Sequence, residues 1–206
     1  SRPNDNIGLV IFAGESYTLC PLTTDKKTLV NLMGTIKDGM MDEDGTAIGM
    51  GLANAVNRLK DSQAKSKVII LLTDGTNNRG EIDPMTASEL AKAYGIRVYT
   101  IGVGTKGEAP YPVQTIFGIQ KQMVPVEIDE ETLEAIAEKT GGHYFRATNN
   151  NSLKAIYNDI DKMEKTKIKV TEHTSKNEEY LPYAIAAILL LLLEILLRNT
   201  ILRHIP

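Results

Sequence analysis

Apolar and polar positions in residues 7–164 follow two periods, one typical of buried strands and the other of amphipathic helices. Continuous apolar runs predict strands over residues 7–12, 67–74 and 96–104, and residues 142–147 read as a shorter fourth strand. Residues 17–20 alternate and indicate an edge strand antiparallel to the first. Helical spacing predicts helices over residues 26–36, 46–59, 84–94, 129–139 and 151–163. This order predicts an α/β fold with a doubly wound, mostly parallel sheet over residues 1–164.

Two segments depart from the alternation of strands and helices. Residues 108–128 read as an inserted hairpin with its turn near residues 117–120. Residues 165–179 are polar and extended in character, which predicts a stalk or linker.

The C-terminal segment, residues 180–203, is predicted to be a transmembrane helix with a basic flank. No polar residue occurs from Ala184 to Leu193, and a helix over residues 180–197 is about 27 Å long. Tyr180 and Tyr183 are assigned to one interface. Glu194 and Arg198, four residues apart, are assigned as the anchor at the other, with an intramembrane carboxylate as the alternative for Glu194. The basic C-terminal flank predicts that the globular part faces outward.

Composition excludes several classes of function. The formal net charge of −3 gives no electrostatic case for nucleic acid, and the absence of Trp argues against a stacking platform. The single cysteine, Cys20, excludes an intrachain disulfide and reads as a buried structural thiol.

Two short polar motifs are candidates for a metal site. Asp74 follows a buried strand directly, and Thr46 begins a helix after Asp42-Glu-Asp-Gly. Ligands bind where parallel strands end, and both motifs are expected at that edge of the sheet. Oxygen ligands of this kind suit a hard cation such as Mg²⁺. The alternatives are a loop aspartate that satisfies backbone amides and a threonine that caps its helix.

No enzyme motif emerges from the remaining residues. Residues 102–107 match G-x-G-x-x-G, but the proline-containing segment that follows cannot open the helix a dinucleotide site needs. His143, His173 and His204 have no metal-ligand spacing. The chain is therefore predicted not to be an enzyme. A metal-dependent hydrolase using Asp74 with Asp42 and Asp44 remains the alternative.

The segments LLTDGTNN, DGTAIG and TGGHYFRA together resemble the von Willebrand factor A (VWA) domain. The resemblance implies a metal-ion-dependent adhesion site (MIDAS) made by three loops, which carry Asp-x-Ser-x-Ser, a Thr and an Asp. Thr46 and Asp74 match the second and third loops. The resemblance further implies that the metal's open coordination position takes a carboxylate from a protein partner.

The order of segments over nearly the whole chain is similar to the BatA branch of the Bacteroides aerotolerance (Bat) proteins. This resemblance implies a membrane-anchored scaffold in envelope stress tolerance, in the bacterial inner membrane with its VWA domain in the periplasm. The implied partners are other envelope proteins, other Bat-family VWA proteins, a MoxR-type AAA+ ATPase and the lipid bilayer, with no nucleic acid and no nucleotide. A metal-independent structural membrane component is the alternative role.

One element of the family pattern is missing, because the sequence contains no Asp-x-Ser-x-Ser. In the family this motif lies on the first central strand, before the segment with which this sequence begins. The sequence is therefore predicted to be an N-terminally truncated fragment that lacks this strand and binds Mg²⁺ weakly or not at all. The exposed strand edges predict a sheet with a gap, a swapped dimer or aggregation.

Overall fold

The computed structural model describes residues 5–37, 39–104, 107–115, 118–126, 128–174 and 180–200. The chain divides into two compact units, residues 1–164 and residues 165–206. In chain order the elements are β1 (Ile7–Phe12), β2 (Ser16–Thr23), α1 (Lys26–Met33), α2 (Ile48–Leu59), β3 (Lys67–Thr73), α3 (Pro84–Ala93), β4 (Ile96–Val103), β5 (Gly107–Thr115), β6 (Gly118–Val126), α4 (Glu130–Thr140), β7 (Tyr144–Ala147), α5 (Asn150–Thr174) and α6 (Tyr180–Thr200).

The main sheet is parallel and has the strand order β3-β4-β7. Helices cover both of its faces, as the continuous apolar strands predict. Leu52, Val98 and Ile136 belong to the core on the side of α2, α3 and α4. Tyr99 and Ile156 belong to the second core, between the sheet and α5. The predicted α/β, doubly wound architecture is thus confirmed.

Strands β1 and β2 form an antiparallel pair, as the alternating pattern after β1 predicts. Within the described ranges, no hydrogen-bonded ladder joins this pair to the main sheet. Helix α2 packs against β1, β2 and β3. Ser16 Oγ donates to the carbonyl of Met50 at 3.2 Å, and Thr18 Oγ1 donates to Asn54 Oδ1 at 3.0 Å. The helix therefore holds together two sheets that do not pair directly.

The inserted hairpin is present between β4 and α4. Its strands, β5 and β6, pair antiparallel from Gly107 opposite Val126 to Thr115 opposite Gly118. The connection falls at residues 116–117, which lie outside the described residues.

Helix α5 is longer than the sequence pattern predicts. It runs to Thr174, so residues 165–174 are helical and not extended. Lys, which occurs three times in residues 165–174, is a good helix former. Extending an existing helix costs far less than starting one, and α5 is already fixed to the core through Ile156 and Ile160.

The predicted transmembrane helix over residues 180–203 is wrong. Helix α6 is present, but no helix among the described residues is both long and apolar enough to span a bilayer. The uninterrupted apolar run from Ala184 to Leu193 covers about 15 Å at 1.5 Å per residue, against a hydrocarbon core of about 30 Å. The membrane-anchor roles predicted for four residues depended on that transmembrane helix. These residues are Tyr180, Tyr183, Glu194 and Arg198.

Glu164, the last residue of the first compact unit, is buried in a polar network at the amino ends of β3 and β4. Its carboxylate pairs with the Arg97 guanidinium, with one contact at 2.9 Å from Nε. It also accepts hydrogen bonds from Tyr99 Oη at 2.6 Å and Ser66 Oγ at 2.9 Å. These contacts attach α5 to both strands.

The network fixes the charge of Glu164. Burial opposes ionisation, but the hydrogen bonds from Arg97, Tyr99 and Ser66 outweigh it and leave the pKa of Glu164 below its ordinary value. The hydrogen bond to Glu164 raises the pKa of Arg97, and burial raises that of Tyr99. Glu164 is therefore a carboxylate at neutral pH and Arg97 a cation.

Candidate functional site

Three loops meet at the carboxyl ends of β1 and β3, and backbone hydrogen bonds join them. The loop after β1 contacts the loop before α2 through Ala47 N–H, which donates to the carbonyl of Ala13 at 2.6 Å. Gly14 N–H donates to the carbonyl of Glu43 at 3.0 Å. The loop after β3, residues 74–83, forms the third part of this junction.

The structure brings Thr46 and Asp74 to the same place. Gly75, directly after Asp74, lies so close to Thr46 that an added Cβ would be 2.8 Å from Thr46 Oγ1. A larger residue at position 75 would therefore push the threonine away. Thr46 is half-buried and Asp74 is exposed, so the edge they share is open to solvent.

Two asparagines of the loop after β3 hold Thr46 in position. Asn78 Oδ1 accepts a hydrogen bond from Thr46 N–H at 2.8 Å, and the carbonyl of Thr46 accepts from Asn78 N–H at 3.0 Å and Arg79 N–H at 3.3 Å. Asn77 Oδ1 accepts from Ile48 N–H at 2.8 Å, at the first turn of α2. The Asn77–Asn78 pair therefore fastens the start of α2 to the Asp74 loop.

This arrangement excludes one role suggested for Thr46, that of the helix cap. The N-cap residue of α2 is Ala47, which makes no side-chain cap, and the first-turn donor of Ile48 is satisfied by Asn77. Thr46 is thus not the cap of the helix. Sequence reasoning missed both asparagines, although two adjacent residues that readily accept backbone hydrogen bonds directly follow the Asp-Gly-Thr segment.

Replacing Asn77 by alanine is expected to destabilise the domain by about 1–2 kcal/mol, because the Ile48 N–H loses its acceptor. Urea denaturation followed by circular dichroism would measure the loss. Asn31→Ala, at an exposed position of α1, is the control and should change stability by no more than about 0.5 kcal/mol. Equal effects of the two substitutions would show that the hydrogen bond from Ile48 N–H to Asn77 makes no measurable contribution to stability.

The donor chemistry at this edge fits a hard divalent cation. Thr46 offers a hydroxyl oxygen and Asp74 a carboxylate, both suited to Mg²⁺. Asp42 and Asp44 lie exposed on the loop before α2. Among the described residues, no group of three or more His, Cys, Asp or Glu side chains is arranged to hold a metal. Thr46 and Asp74 together supply only one negative charge.

The other candidate residues lie elsewhere. Cys20 is buried in β2, and His143 is exposed beside Tyr99, with 6.3 Å between ring centroids. The side chain of His173 and the whole of His204 lie outside the described residues. The glycine-rich segment after β4 leads into strand β5 at Gly107 and not into a helix. A dinucleotide fingerprint needs that helix.

Comparison with known sequences and folds agrees with this fold. The von Willebrand factor type A domain profile matches residues 1–159. An aerotolerance-related membrane protein from Bacteroides fragilis is 28% identical with a TM-score of 0.63, over 77% of this chain and 80% of that one. BatB from Bacteroides thetaiotaomicron is 31% identical with a TM-score of 0.62, over 79% and 80% of the two chains. The resemblance to VWA and aerotolerance proteins is thus confirmed.

A third structure bears on the metal. Proximal thread matrix protein 1 from the mussel byssus, solved with a zinc-occupied MIDAS motif, is 25% identical with a TM-score of 0.58, over 78% of this chain and 36% of that one. A divalent cation is therefore held in the MIDAS motif of a protein with a similar fold. The chain spans 60% of the length of one curated relative that it matches and 47% of another.

Proposed function

Because the chain belongs to the von Willebrand factor type A domain family, we propose that it is a non-enzymatic module that recognises other proteins at the edge of the sheet carrying Thr46 and Asp74. The observation that carries this proposal is the contact between the two loops, in which the Thr46 hydroxyl lies against the residue directly after Asp74. The Asn77–Asn78 pair holds this arrangement without using either candidate ligand's side chain.

Thr46 and Asp74 would hold a divalent cation, which we propose to be Mg²⁺. When bound, the cation supplies a Lewis-acidic centre that attracts a partner's carboxylate. Asp74 provides one negative charge and Thr46 a neutral oxygen, so the pair leaves half of the charge of a divalent cation uncompensated. We therefore expect weak binding of Mg²⁺ by this chain alone and tighter binding when a partner adds its own carboxylate, because the two binding events are linked.

The proposed setting is the bacterial envelope, in association with the inner membrane and with the VWA domain in the periplasm. The description of the B. fragilis relative as an aerotolerance-related membrane protein supports this placement. The proposed partners are other envelope proteins, including Bat-family VWA proteins, and a MoxR-type AAA+ ATPase. The net charge of −3 argues against nucleic acid.

The test is binding of the full chain to purified Bat-family VWA proteins and the MoxR-type ATPase from the same organism, measured by biolayer interferometry. We expect binding in saturating MgCl₂ that weakens at least about tenfold, or 1.4 kcal/mol, in EDTA and in the Asp74→Ala variant. Asp42→Ala removes an exposed carboxylate from a neighbouring loop and should leave the affinity unchanged within about twofold.

Calorimetry with MgCl₂ alone completes the experiment. Little or no heat of binding is expected without a partner. A micromolar affinity that disappears in Asp74→Ala would show that the two loops suffice by themselves. Partner binding that is equal in Mg²⁺, in EDTA and in Asp74→Ala would contradict the metal-dependent role and favour a metal-independent structural one.

A further inference from the structure

The inserted hairpin has two outer edges that the described part of the chain leaves without a strand partner. Strands β5 and β6 pair only with each other, as a separate two-stranded sheet. An unpaired edge presents backbone donors and acceptors to any strand that can reach it. A two-stranded sheet is also only marginally stable in water, so this hairpin gains from additional strands.

The pairing register shows which residues point their backbone groups outward. Thr115 and Gly118 form the last pair of the ladder and are separated by only two residues. In a hairpin whose connection has two residues, the last pair is hydrogen-bonded, meaning that its two residues bond to each other through both backbone groups. Hydrogen-bonded pairs then alternate with outward-pointing pairs, whose N–H and C=O groups face away from the partner strand. The outward-pointing pairs are therefore Gln114 with Ile119, Pro112 with Lys121, Pro110 with Met123, and Glu108 with Pro125.

The positions of the prolines support this assignment independently. Pro110, Pro112 and Pro125 all fall into the outward-pointing class. Proline has no backbone N–H, and in that class its absence removes no hydrogen bond from the hairpin. In the other class, each proline would delete a hydrogen bond between β5 and β6.

The two edges consequently differ in what they can bind. Along the outer edge of β5, Pro110 and Pro112 remove the two central donors. Along the outer edge of β6, the N–H groups of Ile119, Lys121 and Met123 are three consecutive outward donors. Strand addition needs such a row, so β5 is closed to another strand and β6 is open to one.

We propose that the outer edge of β6 pairs antiparallel with the same edge of a second copy of this chain. Two identical strands in antiparallel orientation are self-complementary, because each supplies the donors and acceptors that the other needs. The resulting order is β5-β6-β6-β5, so the proline-blocked strand forms both outer edges. The sheet closes at four strands and association stops at a dimer.

Charge selects among the possible registers of this dimer. A register that places Lys121 opposite Lys121 of the second copy would set like charges against each other, which is unfavourable. Shifting the register so that Lys121 faces Met123 of the second copy keeps both residues in the outward-pointing class, separates the two lysines and retains Met123 in the interface. This pairing uses backbone groups of β6 and requires no metal ion.

The test introduces one proline on each outer edge of the hairpin in the 206-residue chain. Met123→Pro removes a donor from the outer edge of β6 without breaking a bond to β5, and is expected to raise the dimer dissociation constant at least about tenfold. Gln114→Pro makes the matched change on the outer edge of β5 and should leave the dimer dissociation constant unchanged. Sedimentation velocity over a range of concentrations gives both values, and circular dichroism checks the fold.

A measurement on the unmodified chain keeps the proposal testable if a variant misfolds. Amide hydrogen exchange at Ile119, Lys121 and Met123 should slow as protein concentration rises, while exchange at Glu108 and Gln114 stays fast. A monomer at every concentration would overturn the proposal. A dimer that Met123→Pro leaves intact would also overturn the proposal. So would a dimer in which the outward amides of β6 exchange as fast as those of β5.

Discussion

Replacing Glu164 by alanine is expected to destabilise the first compact unit by about 3 kcal/mol or more. The substitution leaves the Arg97 guanidinium without its carboxylate and takes away the acceptor of Tyr99 and Ser66. Glu164 is buried and Arg97 is partly buried, so the substitution leaves a partly desolvated charge and the buried Tyr99 hydroxyl without their acceptor, which costs more than the pair itself contributes. For a domain of this size the loss corresponds to a fall in Tm of about 6–12 °C, measurable by calorimetry.

Asp159→Ala provides the matched control on the same helix. Asp159 is exposed and pairs with Lys162 one turn away, at 3.1 Å. An exposed pair of this kind contributes less than about 1 kcal/mol, so Tm should change little. If both variants lost the same stability, the Glu164 network would be no stronger than a surface ion pair.

The pH dependence of stability gives a second check on Glu164. Its folded-state pKa lies below its ordinary value of 4.5, so folding favours the carboxylate form. The stabilisation is fully present above pH 4.5 and is lost as pH falls through the lower, folded-state pKa. Glu164→Gln should therefore remove part of the acid-induced loss of stability. A curve parallel to that of the unmodified chain would contradict the assignment.

Replacing Gly49 by alanine is expected to cost about 3 kcal/mol, the second large effect. Gly49 is buried in the first turn of α2, and an added Cβ would lie 1.9 Å from the carbonyl oxygen of Ile82. That oxygen belongs to the backbone, so the helix and the loop must move apart. Because the Asn77–Asn78 pair joins the same helix and loop, the displacement would also separate Thr46 from Asp74.

Chemical denaturation measures this cost, with Gly34→Ala as the control. Gly34 is exposed, has φ −68° at the end of α1, and already adopts a conformation that alanine accepts. Its substitution should change stability by no more than about 0.5 kcal/mol. A Gly49→Ala variant as stable as the unmodified chain would show that the helix start can shift at little cost.

Local periodicity was sufficient to predict most of the fold. Strands β3 and β4 are apolar runs covered on both faces, and helices such as α2 have one apolar side, so each leaves a direct pattern in the sequence. The same pattern placed Asp74 and Thr46 at one edge, because Asp74 follows a parallel strand and Thr46 begins a helix that packs on the sheet, and both positions lie at the carboxyl ends of the strands. These predictions needed only the local sequence pattern and the rule that ligands bind at the carboxyl ends of parallel strands.

The contacts that fix the site depend on loop conformation and could not be predicted in this way. Asn77 accepts a hydrogen bond from Ile48, 29 positions earlier in the chain, and nothing in either segment specifies the other. Glu164 meets Ser66 across 98 positions. Polarity alone also misjudged residues 165–174, since charged residues on a helix that is already anchored continue it.

The position of Glu164 at the end of the first compact unit has a mechanical consequence. A pull on the chain from beyond residue 165 reaches Glu164 before it reaches any other residue of that unit. The load passes through the ion pair to Arg97, in the central strand of the main sheet, and through Ser66 to the start of its neighbour β3. Tension is thus shared by two strands of the main sheet.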